Sequence, residues 1–271
     1  MIFADVAAAL TELGYPLIMA AAIGMARALG MVLITPAFNR LGMTGILRSA
    51  VAVTLSLPLI VPTFEALSTM EPLSAFTIAA LLIKELLIGV LIGLVFGIPF
   101  WAAEVAGELV DLQRGSTMAQ LLDPMGSTES GVTSTLLSVM LVAMFFITGG
   151  FLLLLDGFYQ SYALWPVGEL MPQMEARTAL AALGLLDQIM GIGVLMIAPL
   201  VIAILVADLM MAYLARMAPN LHVFDLSLPI KNLLFTVLML IYLVFLVPQM
   251  LGMLGAMSEN YQRFEALIGT L

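Results

Sequence analysis

The chain has no cysteine and a single histidine, His222, among its 271 residues. That rules out disulfides, thiol nucleophiles, thiolate metal sites and any cluster of histidines. Charge is scarce as well: Asp, Glu, Lys and Arg are 10% of the residues, against about 25% in soluble domains. Nine Lys and Arg stand against eighteen Asp and Glu, so nothing attracts a polyanion and no nucleic acid is expected as a partner. The His-Glu-x-x-His, Gly-x-Ser-x-Gly and phosphate-loop patterns are also missing. These absences point away from an enzyme, and neither metal nor cofactor is expected.

What remains is apolar. Hydrophobic residues are 63% of the chain, which excludes a soluble domain and predicts an all-α, polytopic membrane protein built as a single domain over 1–271. Apolar runs at about 15–35, 46–62, 73–103, 132–155, 179–215 and 232–256 give about six helical segments. The third and fifth are too long for one simple span. A helix over 179–215 would reach about 55 Å, whereas the hydrocarbon core is about 30 Å thick. Pro99 and Pro199 lie inside these two runs, so breaks are expected there, with further kinks at Pro58 and Pro248. The first sixteen residues carry Asp5 and Glu12 before any basic residue, which predicts an uncleaved, amphipathic lead-in to the first helix. Arg40, Arg48, Arg114, Arg216 and Lys231 fall on one set of connections, and Arg177 and Arg263 on the other. The positive-inside rule therefore puts both termini on the non-cytoplasmic side.

Four features could carry function. Lys84 and Glu85 sit inside an apolar run. Ionisable groups there are costly, so they mark either an ion or proton relay or a site packed against protein. Neighbours on a helix point about 100° apart, so Lys84 and Glu85 are not expected to neutralise each other. Gly89, Gly93 and Gly97 form a ladder of small residues that lets another helix approach closely, most simply within the chain. Glu104, Glu108 and Asp111 share one helix face, expected as a solvated or partner-facing stripe. Between about 113 and 131 comes a segment rich in Gly, Ser and Thr that also holds Met118, Leu121, Leu122 and Met125. Such a composition continues a helix poorly, and those apolar side chains have no use in a freely solvated loop.

The segment from Arg216 through Pro219, Asn220, His222, Phe224 and Pro229 to Lys231 is expected as a polar turn between two apolar helices. It resembles the signature loop of the export-apparatus proteins of type III secretion, the SctT/FliR family of injectisome T and flagellar R proteins. The family pattern is about Arg-x-x-Pro-Gln-x-Asn-x-Phe followed by Pro-x-Lys. This chain departs from it at Asn220 and His222, each still able to hydrogen-bond. Arg27 to Arg48 resembles the family's first hairpin, and Glu104 to Pro124 its central loop. Gln113-Arg114-Gly115 and the run from Ser161 to Trp165 and Pro166 are more similar to the injectisome branch.

The resemblance implies a multi-pass protein of the bacterial inner membrane, active in type III protein secretion and virulence and assembled largely on the periplasmic side. The implied partners are the P-, Q-, S- and U-type subunits (SctR, SctS, SctU or their flagellar equivalents), the V-type export gate, and unfolded proteins in transit. It further implies that Gln113, Arg114, Gly115, Ser116, Thr117, Met118, Leu121, Leu122, Asp123, Pro124 and Met125 belong to a channel plug. The alternative from another class is a small autonomous ion-coupled transporter using Lys84, Glu85, Asp187 and Asp208.

Overall fold

A computed structural model of the chain describes residues 2–70, 74–115, 131–169, 176–218 and 223–257. Among these, every regular element is helical: α1 (Ile2–Ile34), α2 (Pro36–Arg40), α3 (Gly45–Ser56), a 3₁₀ turn (Leu57–Leu59), α4 (Ile60–Ser68), α5 (Ala75–Gln113), α6 (Val132–Ile147), α7 (Gly150–Leu164), α8 (Ala176–Met217) and α9 (Val223–Gly255). Among the described residues, five stretches are long and apolar enough to cross a membrane, and α6 with α7 makes a sixth if the two count as one broken span. This is the polytopic helical architecture that the hydropathy predicts, since only a helix satisfies its own backbone in lipid.

Of the interruptions expected at prolines, the one at Pro58 is present, whereas the helices stay continuous at Pro99, Pro199 and Pro248. α5 and α8 run on through Pro99 and Pro199 as helices of 39 and 42 residues, roughly 58 and 63 Å at 1.5 Å per residue. A proline forfeits one helical hydrogen bond, whereas a full break would unpair several backbone groups at several kcal/mol each. Pro58 lies inside the 3₁₀ turn, as expected, and a further interruption falls at Gly149. The latter, with φ +81°, separates α6 from α7 in a backbone conformation that favours glycine.

The chain divides into two compact units, residues 1–97 with 149–183 and 257–271, and residues 98–148 with 184–256. In the first, α1 lies against the opening turns of α5 with the backbones in contact. A Cβ at Gly89 would overlap the Arg27 carbonyl oxygen, and one at Gly93 would stand 2.9 Å from that of Met31. The glycine ladder thus meets a helix of its own chain, and Gly97 continues the row as a buried residue. Contact of this kind gains dispersion energy, which stands in for the hydrophobic effect where lipid is the solvent. Ala20, Ile23, Leu67, Leu81 and Val167 form the buried core here.

In the second unit the rings of Phe100 and Phe145 meet edge to face at 5.4 Å, and the Tyr242 hydroxyl donates to the Met196 carbonyl at 2.9 Å, fastening α9 to α8. Leu209, Met210 and Tyr213 of α8, with Leu233, Leu240 and Val244 of α9, stand mostly exposed. For a membrane protein such faces are covered by lipid chains or by neighbouring protein.

Candidate functional site

The carboxylates near the end of α5 do not form a solvated stripe. Asp111 is fully buried. Its Oδ2 accepts from the Thr133 backbone N–H at 2.9 Å, and its Oδ1 accepts from the Thr133 hydroxyl at 2.7 Å and from Arg114 Nε at 2.8 Å. One turn earlier, Glu108 Oε1 accepts from the Gly131 N–H at 2.8 Å. The reason lies at the start of α6. Helix N-termini leave backbone N–H groups without partners, and Gly131, at the capping position, has no side chain to supply one. α5 provides the anions instead, with the sign that the helix dipole favours. The expectation of a solvated or partner-facing stripe is corrected here for Glu108 and Asp111, which are engaged by a helix end.

The opposite end of this arrangement is cationic. Gln113 closes α5, so its carbonyl lacks an intrahelical partner. The Lys231 ammonium donates to that carbonyl at 3.1 Å and pairs with Asp208 at 3.1 Å. The guanidinium of Arg114 lies 4.9 Å from the Phe235 ring centroid, within cation–π range. The segment from 216 to 231 is accordingly less of a turn than its prolines suggest. Arg216 ends α8 in helix, and Phe224, Pro229 and Lys231 already belong to α9. Entry into a helix within the first two turns suits a lysine that must reach across to a neighbouring helix end.

The predicted motifs are therefore brought together in part. Gln113, Arg114 and Gly115 meet α9 through Lys231, Phe235 and Leu228. Ser116, Thr117, Met118, Leu121, Leu122, Asp123, Pro124 and Met125 lie outside the described residues, as do Pro219, Asn220 and His222. Thr133, Glu108 and Phe235 were not legible as members of this site. Glu108 carried a usable signal, an acid one turn before Asp111 on a helix that precedes another helix start.

The other charged cluster lies in the first unit. Arg27, fully buried, donates from Nε to Glu85 at 2.6 Å, from Nη1 to the Ser161 hydroxyl at 2.9 Å and from Nη2 to the Trp165 carbonyl at 2.8 Å. Its guanidinium stacks 3.7 Å from the Tyr162 ring centroid. Lys84 donates to the carbonyls of Pro166, Val167 and Glu169 at 3.0, 3.0 and 2.9 Å. Contrary to expectation, Lys84 and Glu85 do approach each other, at 2.9 Å. A four-carbon stem bends far enough to defeat the 100° divergence. The three ammonium protons go to carbonyls, so Glu85 Oε1 receives charge without an aligned hydrogen bond. Asp187, grouped with these residues by the transporter alternative, is exposed on α8.

Residues 18–257 match the family described as bacterial export proteins, family 1. The chain belongs to this family. It is 41% identical over 168 residues to Yop proteins translocation protein T of Yersinia pestis, covering 62% of the chain and 64% of that protein, just under two thirds of its length. Secretion system apparatus protein SsaT of Salmonella typhimurium is 30% identical over 228 residues, 83% of this chain and 86% of that one. Flagellar biosynthetic protein FliR of Pectobacterium carotovorum is 29% identical over 204 residues, 75% and 76% of the two chains. The higher identity to the Yersinia T protein places this export protein on the injectisome side of the SctT/FliR family.

Proposed function

We propose that this export protein is a structural, channel-forming subunit of the type III secretion apparatus in the bacterial inner membrane, without turnover of its own. It assembles with P-, Q-, S- and U-type subunits and the V-type gate, partly on the periplasmic side, and helps to gate the entry to the export channel. Its central loop, from about 113 to 131, is the part that seals the channel between export events.

The observation that carries this reading is that both flanks of the loop are tied down by charge. Lys231 holds Gln113 at one end, and Glu108 and Asp111 hold Gly131 and Thr133 at the other. A segment presented from such a root, and carrying Met118, Leu121, Leu122 and Met125, suits a seal that blocks ions yet yields to an unfolded polypeptide. The exposed apolar faces of α8 and α9 suit burial against neighbouring subunits. The transporter alternative loses support, because Lys84, Glu85 and Asp208 are each engaged in an ion pair.

Deleting residues 115–126 is expected to leave the assembled complex intact but conducting to small ions. Single-channel recording of the purified complex in a planar bilayer checks this. Unchanged conductance in a correctly assembled complex would show that the loop is not the seal.

A further inference from the structure

The two faces of α7 differ in chemistry. Leu154, Gly157, Phe158 and Ser161 are buried, and Ser161 and Tyr162 grip the Arg27 guanidinium. The Tyr159 hydroxyl donates to the Leu55 carbonyl at 3.2 Å and fastens the helix to α3 as well. These contacts fix its rotation and turn Leu152, Leu153, Asp156 and Gln160 outward, where all four are exposed. On that outer face Gln160 Nε2 donates to Asp156 Oδ2 at 2.8 Å. An amide satisfies one oxygen and leaves the charge in place. Glu85, Asp111 and Asp208 each pair with a cation of this chain; among the described residues Asp156 meets only the Gln160 amide.

Neither water nor hydrocarbon suits such a face. α7 passes with α6 as one apolar, broken span, and the exposed Leu152 and Leu153 lie about one turn before Asp156. A carboxylate turned toward lipid chains is costly, and Asp156 sits mid-helix, where neither helix end supplies compensating charge. A protein surface satisfies both halves, with apolar side chains against the leucines and a cation against Asp156. Gln160 narrows the choice of cation. It spends an amide proton on Asp156, so its own side-chain oxygen remains as a second acceptor one turn away. A forked guanidinium reaches two acceptors in fixed geometry, whereas a lysine ammonium is a point charge.

We propose that the outer face of α7 docks on a helix of another subunit of the apparatus, and that an arginine of that helix, set among apolar side chains, pairs with Asp156 and Gln160. This rests on the reading of the chain as one subunit of a larger assembly, and names the face and the chemistry that hold it there.

The full complex, recovered through a tag on the P-type subunit, tests the proposal. Asp156→Arg sets two cations face to face and is expected to lower the amount of this chain in the complex about tenfold or more. Asp156→Leu tells a protein surface from a lipid one. Against lipid it should be recovered as well as wild type or better; against protein its recovery is expected to fall severalfold, because the partner's arginine is left buried without an anion. Wild-type recovery of either variant overturns the proposal. A benzophenone amino acid in place of Leu153 leaves Asp156 and Gln160 intact and decides alone if the charge variants fail to fold. Irradiated in the purified complex, it is expected to attach to an arginine-bearing apolar segment of a neighbouring subunit, located by mass spectrometry. Attachment to lipid alone, or to a segment without arginine, overturns the proposal. If the wild-type chain itself is absent from the tagged complex, the reading of it as a subunit falls instead.

Discussion

Near the start of α5, Lys84 and Glu85 join Arg27 in a cluster closed to water; near its end, Glu108 and Asp111 face backbone N–H groups and an arginine that reaches partly into solvent. Side-chain exposure is 0% for Arg27 and Glu85 and 5% for Lys84, against 15% for Arg114. The signs are opposite as well. Two cations meet the carbonyls that follow α7, and two anions meet the N–H groups that open α6. Each end thus obeys the helix dipole, cations at a C-terminus and anions at an N-terminus. A charge inside a membrane protein is tolerable when it replaces a hydrogen bond that the backbone cannot make for itself.

The strongest effect is expected where water cannot help. Glu85→Gln leaves Arg27 and Lys84 buried without an anion, a loss of about 3–5 kcal/mol. Thermal unfolding in detergent and the yield of assembled complex measure it. The defect should appear as failed folding or assembly; a fully assembled complex with export abolished would revive the relay reading and erase the contrast between the two ends.

A smaller loss comes from parting the helices without touching a charge. Gly89→Leu forces α1 off α5 at the Arg27 carbonyl, with an overpacking cost of about 1–3 kcal/mol or more. Arg27 then loses its register with Glu85, while the Asp111 end should keep its geometry. Protection of the α6 N-terminal amides in hydrogen exchange reads that difference, and equal loss at both ends would show that they are not separate.

The mildest change is expected from Thr133→Val, which removes the hydroxyl donated to Asp111 but keeps the backbone N–H. About 1 kcal/mol is at stake, because Arg114 still reaches the same oxygen. A stability change as large as that of Glu85→Gln would mean that the anionic end is as closed as the cationic one.

The apolar runs, the scarcity of charge, the close contact at the glycine ladder and the family likeness are all legible in the amino-acid sequence, because each follows from local composition and spacing. The breaks expected at Pro99 and Pro199 are absent, because a proline in an apolar setting costs less than an unpaired backbone. The solvated reading of Asp111 and Glu108 fails for a related reason. Their helix face is evident, but nothing along α5 indicates that the unsatisfied start of another helix lies against it.

That the chain is helical, multi-pass and a member of the export family follows from the order of its residues alone, since hydrophobic period and composition are properties of chain neighbours. Which charge meets which partner is settled only by the packed helices. Arg27 finds Glu85 58 positions away and Ser161 134 away, and Asp111 finds Thr133 22 away. Such pairings depend on how helices pack, and in an apolar medium each buried charge must settle where the fold leaves a hydrogen-bonding group open.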